Sequence, residues 1–198
     1  MRGEDFYWEE EIPKSRRERR WERQRKKRRA GLAELVVTLI VAFVLVFGLV
    51  RPFVIEAYSI PSESMVPTLE IGDRVLANKF IYHFTEPKKE DIVVFDSVGE
   101  GNDQTLIKRV VGVAGDEIQV RDGVLYVNDE AQKEPYLNEE APFKGSYGPT
   151  VVPKGHIFVM GDNRGNSADS RVFGPLPLNN LKGEAFMRFW PVYKIGTL

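Results

Sequence analysis

Ser62 and Ser64 stand in Pro61-Ser62-Glu63-Ser64-Met65-Val66-Pro67-Thr68-Leu69, a hydroxyl-rich run framed by prolines. A serine hydroxyl is a weak nucleophile until a neighbouring base removes its proton. Histidine is the first candidate base. The chain holds only His83, in Tyr82-His83-Phe84, and His156, in Pro153-Lys154-Gly155-His156, and no Gly-x-Ser-x-Gly elbow accompanies either. Both read as loop or turn residues. Two histidines in a chain without cysteine also make a poor zinc site, and no metal or cofactor is implied.

Lysine is the second candidate. An ordinary lysine titrates near 10.4 and cannot act as a base at neutral pH, but burial favours its neutral form and lowers that value. Lys108 lies in Leu106-Ile107-Lys108-Arg109-Val110-Val111, where strand alternation gives it Leu106 and Val110 as neighbours on one face. Lys79, Lys88, Lys89, Lys144 and Lys154 stand in polar or turn contexts instead. Taken alone, Lys108 also fits a charge on a strand edge, since lysine is almost always exposed.

A third stretch, Met160 to Arg171, sets short hydrogen-bonding side chains around two arginines: Gly161-Asp162-Asn163-Arg164-Gly165-Asn166-Ser167-Ala168-Asp169-Ser170-Arg171. A calcium loop would need a ligand where Arg164 stands. A structural role fits better, with Asp and Asn fixing turns and an Asp169–Arg171 or Asp162–Arg pair stapling the loop.

Ser-x-Ser-Met-x-Pro-Thr-Leu, then Lys-Arg-Val-Val-Gly-x-x-Gly-Asp, then Gly-Asp-Asn-Arg-x-x-Ser-x-Asp-Ser-Arg, in that order after an apolar segment, closely resemble bacterial type I signal peptidase (leader peptidase). The resemblance runs from about residue 51 to the C-terminus. It implies Ser64 as nucleophile and Lys108 as general base. It gives Ser62 a side-chain donor role in an oxyanion hole, with the Ser64 N–H as the second donor, and has Ser167 hydrogen-bond and orient Lys108. Asp162, Arg164, Asp169 and Arg171 would hold the site together. Ile60, Met65, Leu69 and Ile107, with Val94, match positions that build small apolar pockets. Leu106 stands where some relatives carry an aromatic. The resemblance further implies exported preproteins as substrates, held extended against strand edges and cut after small residues at −1 and −3. The chain looks like a minimal version of the family, with one span and no large inserted domain.

These residues need elements to hold them. From Ala30 to Val50 the chain is almost wholly apolar, with Glu34 its single charge. Extended past Arg51 toward Ile55, the stretch reaches the roughly 20 residues that cross a bilayer. The 29-residue lead and the absence of an Ala-x-Ala after the apolar run favour a permanent transmembrane anchor over a cleaved signal. Eleven Lys or Arg lie between Lys14 and Arg29, which predicts a cytoplasmic N-terminus and an outer domain beyond residue 51. Nucleic-acid binding is the rival reading of such a run, but Trp21 is its only aromatic.

The net charge of −1 conceals an asymmetry. Residues 1–30 hold twelve basic and seven acidic side chains, +5, so the remainder carries −6. An acidic outer domain argues against nucleic acid as its ligand. No cysteine exists to form a disulfide or act as a thiol nucleophile.

The sequence therefore divides into a basic cytoplasmic tail (1–29), a transmembrane helix (30–55) and a mainly β, antiparallel catalytic domain (56–198). Strands are predicted over Asp73–Phe80, Asp91–Phe95, Leu106–Val113, Ile157–Met160 and Phe186–Val192. Ile118-Gln119-Val120 and Val124-Leu125-Tyr126-Val127 flank Asp122-Gly123, a hairpin signal. A short helix is expected around Pro175–Leu181 and an irregular excursion over Glu134–Pro153. Phe53, Val54, Ile55 and Tyr58 suggest an apolar patch resting on the bilayer.

Three functions compete. A membrane-anchored serine endopeptidase of secretory preproteins, in the plasma or thylakoid membrane, leads. A self-cleaving Ser/Lys repressor should carry a helix-turn-helix before its serine, where this chain has an apolar span; its two Ala-Gly pairs, Ala30-Gly31 and Ala114-Gly115, lie at the start of that span and after Ser64. An inactive peptide-binding module would be expected to have lost Ser64, Lys108 or Ser167.

Overall fold

The computed structural model describes residues 17, 21, 31, 34–50, 54–98, 104–137 and 142–198. The chain separates into two units, Met1–Leu49 and Val50–Leu198. In the first, residues 34–44 are α-helical, and the helix runs into a π-helical stretch, Leu45–Val50. Thr38 Oγ1 donates to the Glu34 carbonyl at 2.8 Å, and Phe43 stacks on Phe47 with ring centroids 4.3 Å apart. No helix among the described residues is long and apolar enough to cross a membrane. Residues 30, 32, 33 and 51–53 of the expected span, and most of the basic tail, lie outside the described residues.

The second unit is built from antiparallel strands. In chain order they are β1 Ile55–Ser59, β2 Arg74–Asn78, β3 Ile92–Asp96, β4 Thr105–Gly112, β5 Glu117–Arg121, β6 Val124–Val127, β7 Glu130–Ala131, β8 Tyr147–Val151, β9 His156–Met160, β10 Leu176–Pro177, β11 Leu181–Trp190 and β12 Gly196–Thr197. The larger sheet runs β1-β2-β11-β3-β4-β9-β10, with β12 added to β11; the smaller runs β7-β6-β5-β8. β1 opens at Ile55, the residue where the apolar segment is expected to end.

Alternation explains the core. In β3, Ile92 and Val94 join one apolar cluster with Ile60, Met65 and Leu69, while Val93 and Phe95 join another with Val110, Ile157 and Val159. A strand buried on both faces reads as an unbroken apolar run, which is why Ile-Val-Val-Phe shows no polar alternation. β9 does the same. Ile157 and Val159 face that second cluster, and Phe158 and Met160 face a third, which is filled by the β5–β6 hairpin. The hairpin turn has φ of 48° at Asp122 and 87° at Gly123, positive at both central residues as a two-residue I′ connection requires.

Three expectations need correction. Glu134–Pro153 is not wholly irregular: Tyr147–Val151 forms β8 on the edge of the smaller sheet, where Pro149 is tolerated because an edge leaves N–H groups unpaired. The helix expected over Pro175–Leu181 is displaced to Ser170–Phe173. Gly174 ends it at φ 83°, and the prolines that follow lead into β10 and a 3₁₀ turn, Leu178–Asn180. The last long strand also starts earlier than expected, at Leu181, and bends at register shifts against β2 and β3.

Candidate active site

The serine run folds as a 3₁₀ turn, Glu63–Met65, between β1 and β2. Its ends are pinned from several sides. Leu69 N–H donates to Met65 O, Gly72 N–H to Ile60 O, and Arg188 reaches both Thr68 O (3.0 Å) and Asp73 Oδ2 (3.1 Å). Met65 and Leu69 are fully buried, so the turn is anchored by its own apolar side chains. Ser64 remains 7% exposed and points its hydroxyl at Lys108.

Lys108 comes from the middle of β4, paired with Val93 of β3, and is not at a sheet edge. Its Nζ donates to Ser64 Oγ at 2.7 Å and to Ile107 O at 2.8 Å. Leu106 and Val110, its neighbours by alternation, pack in the same apolar cluster as Val93. Burial pushes its pKa down from the ordinary 10.5 to about 8, against the opposing pull of the Asp169 and Asp162 carboxylates. Ser62 Oγ lies 3.3 Å from Ser64 Oγ. His83 and His156 are elsewhere, in a 3₁₀ turn and at the start of β9, and the partners of Ser64 Oγ are Lys108 and Ser62.

The loop from Gly161 to Arg171 presses against the serine turn. A Cβ on Gly161 would run into the Ser64 carbonyl and Ser167 Oγ, so only glycine allows this approach. Asn163 N–H donates to Ser64 O and its Nδ2 to Glu63 O, both at 3.1 Å. The expected Asp169–Arg171 pair forms, through Arg171 Nε and Nη2 at 2.8 Å each, and Asp169 also accepts from Gly161 N–H. Arg171 lies over the Phe143 ring.

Other partners differ from the expectation that the loop staples itself. Asp162 is held by Arg109, the residue after the lysine, through Nε at 2.9 Å and Nη2 at 2.7 Å, and by Thr68 Oγ1 at 2.5 Å. Arg164 pairs with Glu134 through both carboxylate oxygens, and Glu134 is buried within a stretch that reads as loop. Arg109 also stacks 4.0 Å over Tyr136. The sequence offers no signal for Glu134, since one acid in an acidic, proline-rich stretch looks like any other. Arg109 adjoins Lys108 and could have been noticed on that ground.

Ser167 is also placed differently. Its Oγ is buried beside Gly161 and, among the described residues, makes no hydrogen bond, so the expected bond to Lys108 is absent. Lys108 satisfies itself with Ser64 and its neighbouring carbonyl instead.

Beside Lys108 opens a cavity of about 60 Å³ lined by Tyr58, Ile60, Ser62, Val94, Leu106 and Ile107, among others. Ile60, Val94 and Ile107 line it. Met65 and Leu69 do not line it. The 3₁₀ turn and the Leu69–Met65 bond direct both side chains inward, into the cluster behind Ile60. The cavity is small and lined mainly by apolar side chains.

A buried hydroxyl, a depressed lysine and a cavity for something small match a known pattern. The family model for signal peptidase, peptidase S26, matches residues 32–190. This chain belongs to that family. It is 41% identical over 173 residues to a signal peptidase I of Leptolyngbya laminosa, covering 84% of each chain. It is 38% identical over 176 residues to signal peptidase IB of Staphylococcus aureus, covering 81% of this chain and 90% of that one. A thylakoidal processing peptidase 1, chloroplastic, of Arabidopsis thaliana is 44% identical over 157 residues, which is 75% of this chain and 46% of the relative. The activity is accordingly that of signal peptidase I, a serine peptidase that removes signal peptides.

Proposed function

We propose that Ser64 is the nucleophile and Lys108 its general base. The observation that carries this reading is the 2.7 Å contact between a 7% exposed hydroxyl and a 3% exposed lysine whose pKa is depressed to about 8. The neutral amine takes the Ser64 proton as Oγ attacks the carbonyl carbon before the scissile bond. The resulting oxyanion is met by the Ser64 N–H and the Ser62 hydroxyl. When the C–N bond breaks, the Lys108 ammonium returns the proton to the departing amine, which leaves as the new N-terminus. Water then attacks the Ser64 ester, giving its proton to Lys108, which passes it to Ser64 Oγ as the ester bond breaks, and the signal peptide departs with a free carboxylate. Ser167, Asp162, Arg164, Asp169 and Arg171 act by shaping the site. No step calls for a metal or cofactor.

The cavity beside Lys108 supports a preference for small residues at −1, with −3 following the same strand edge. Ile60, Val94 and Ile107 would set the −1 limit, with Met65 and Leu69 backing them from the core. Substrates are secretory preproteins. The apolar segment before β1 would anchor the enzyme as a single-pass protein of the plasma or thylakoid membrane, its basic tail cytoplasmic (stromal in a plastid) and its β domain across the bilayer. Ile55, 36% exposed, and Tyr58 would rest on lipid.

The test is cleavage of a preprotein whose signal ends in Ala-x-Ala, in detergent, by wild type, Ser64→Ala and Lys108→Met. Cutting after the −1 alanine by wild type alone, with all three folded, is the expected result. Retained cleavage by either variant would remove the dyad.

A further inference from the structure

We propose that Asn163 is a positioning residue that aims the oxyanion-stabilising N–H of Ser64. The proposal rests on the reading of Ser64 as nucleophile and N–H donor. Asn163 grips two successive carbonyls of the serine turn: its side-chain Nδ2 donates to Glu63 O and its backbone N–H to Ser64 O, each at 3.1 Å. The first bond is the informative one. The Glu63 carbonyl and the Ser64 N–H belong to one peptide unit, which is trans, since the cis bonds of the described residues all precede prolines. A trans peptide is planar and holds its C=O and N–H in opposite directions. Fixing Glu63 O therefore fixes where the Ser64 N–H points. Val66 N–H also donates to Glu63 O, so this carbonyl is held from two sides.

The anchor is rigid. Asn163 is 4% exposed, and its neighbours Asp162 and Arg164 are locked by Arg109 and Glu134. Gly161, two residues earlier, lets the loop approach the Ser64 carbonyl closely enough for both bonds to form. The bond from Asn163 to Glu63 joins residues 100 positions apart, and the intervening sequence gives no hint of the clamp. Its effect should appear only when negative charge develops on the substrate carbonyl, because a ground-state carbonyl gains far less from a well-aimed donor.

The experiment uses the full chain in detergent and a quenched peptide whose signal ends in Ala-x-Ala. Wild type, Asn163→Ala, Asn163→Leu and Ser64→Ala are compared. Leucine keeps the branching and heavy-atom count of asparagine, though it is bulkier, and the Asn163 Oδ1 it removes has no hydrogen-bond partner among the described residues. Removing a whole oxyanion donor lowers kcat about 10²–10³-fold, so misaiming one should lower it about 10- to 100-fold. KM and the binding of an uncleavable peptide should stay within about twofold. Affinity for a peptide aldehyde, whose adduct with Ser64 carries the tetrahedral oxygen, should fall in step with kcat. The pH midpoint of the rate should not move. Wild-type kcat in both asparagine variants would overturn the proposal. So would a rise in KM alone, a shifted pH midpoint, which would trace the loss to Lys108, or a loss that merely follows unfolding in both. Activity in Ser64→Ala would instead sink the underlying reading, which separates the two failures.

Discussion

Lys108 can be tested through both rate and stability, because one perturbation governs both. With a pKa of about 8, about one lysine in eleven is neutral at pH 7; at the ordinary 10.5 it would be about one in three thousand. The site thus raises the supply of usable base about 300-fold. The logarithm of kcat/KM should climb with a slope near one below pH 8 and level off above it, measured with a peptide that does not itself titrate there. Stability follows the same shift with a defined sign. The folded pKa lies below the unfolded one, so below pH 8 both states carry the charge and the fold bears the whole cost of burying it, about 3 kcal/mol. Between about pH 8 and 10.5 the unfolded state holds the proton that the folded state has lost, and stability rises with pH. Lys108→Met removes the cost together with two hydrogen bonds worth about 1 kcal/mol each. The inactive variant should therefore be more stable than wild type by about 1 kcal/mol at pH 7, an increase in Tm of about 2–4 °C, and less stable above pH 10.5. A rate profile flat from pH 5 to 9, or a variant destabilised equally at every pH, would refute the buried neutral base.

Other perturbations probe the frame around it. Asp169→Asn removes the larger of the two carboxylate influences that hold the Lys108 pKa up, so the midpoint of the pH–rate profile should move below 8; an unmoved or higher midpoint would contradict the assignment. Gly161→Ala should cut kcat at least about tenfold and cost about 1–3 kcal/mol in thermal unfolding, since its Cβ collides with Ser64 O and Ser167 Oγ. Val94→Ala enlarges the cavity beside Lys108, and should raise cleavage after valine relative to alanine at −1 by about tenfold or more in a peptide series; an unchanged ratio would place the −1 pocket elsewhere.

The serine turn, the buried lysine and most strands are legible in the sequence because each leaves a local signature. Two prolines frame the turn, Ile-Val-Val-Phe reports a strand buried on both faces, and Asp122-Gly123 reports a turn with positive φ at both residues. What stays hidden depends on which distant residues meet. Glu134 finds Arg164 across 30 positions, Arg109 finds Asp162 across 53, and Asn163 finds Glu63 across 100. Each is one polar residue among many, and periodicity says nothing about their pairing. β1 hides for another reason: Ile55–Ser59 is a largely exposed edge strand whose first residue reads as the tail of the apolar segment. β8 hides behind Gly148-Pro149, a dipeptide that announces a turn and is tolerated in a strand only at an edge. The cavity follows the same logic, since whether Met65 lines it or backs it depends on the twist of a 3₁₀ turn.

The paired ions explain how a lysine near two carboxylates keeps a depressed pKa. Asp169 and Asp162 both favour the ammonium, yet burial outweighs them. Each carboxylate is already engaged: Asp169 by Arg171 and the Gly161 N–H, Asp162 by Arg109 and the Thr68 hydroxyl. Their negative charge is answered within a few ångströms by buried guanidinium groups, so the field they still exert on Lys108 is outweighed by burial. An unpaired acid in the same place would hold the proton on the lysine and stop it serving as a base at neutral pH. Arg171, through the Arg164 carbonyl, and Arg164, through the Gly161 carbonyl, also fix the loop from which Asn163 and Gly161 reach the serine turn. Arg109 directly follows Lys108 on β4, so one strand supplies both the base for Ser64 and the cation that engages Asp162.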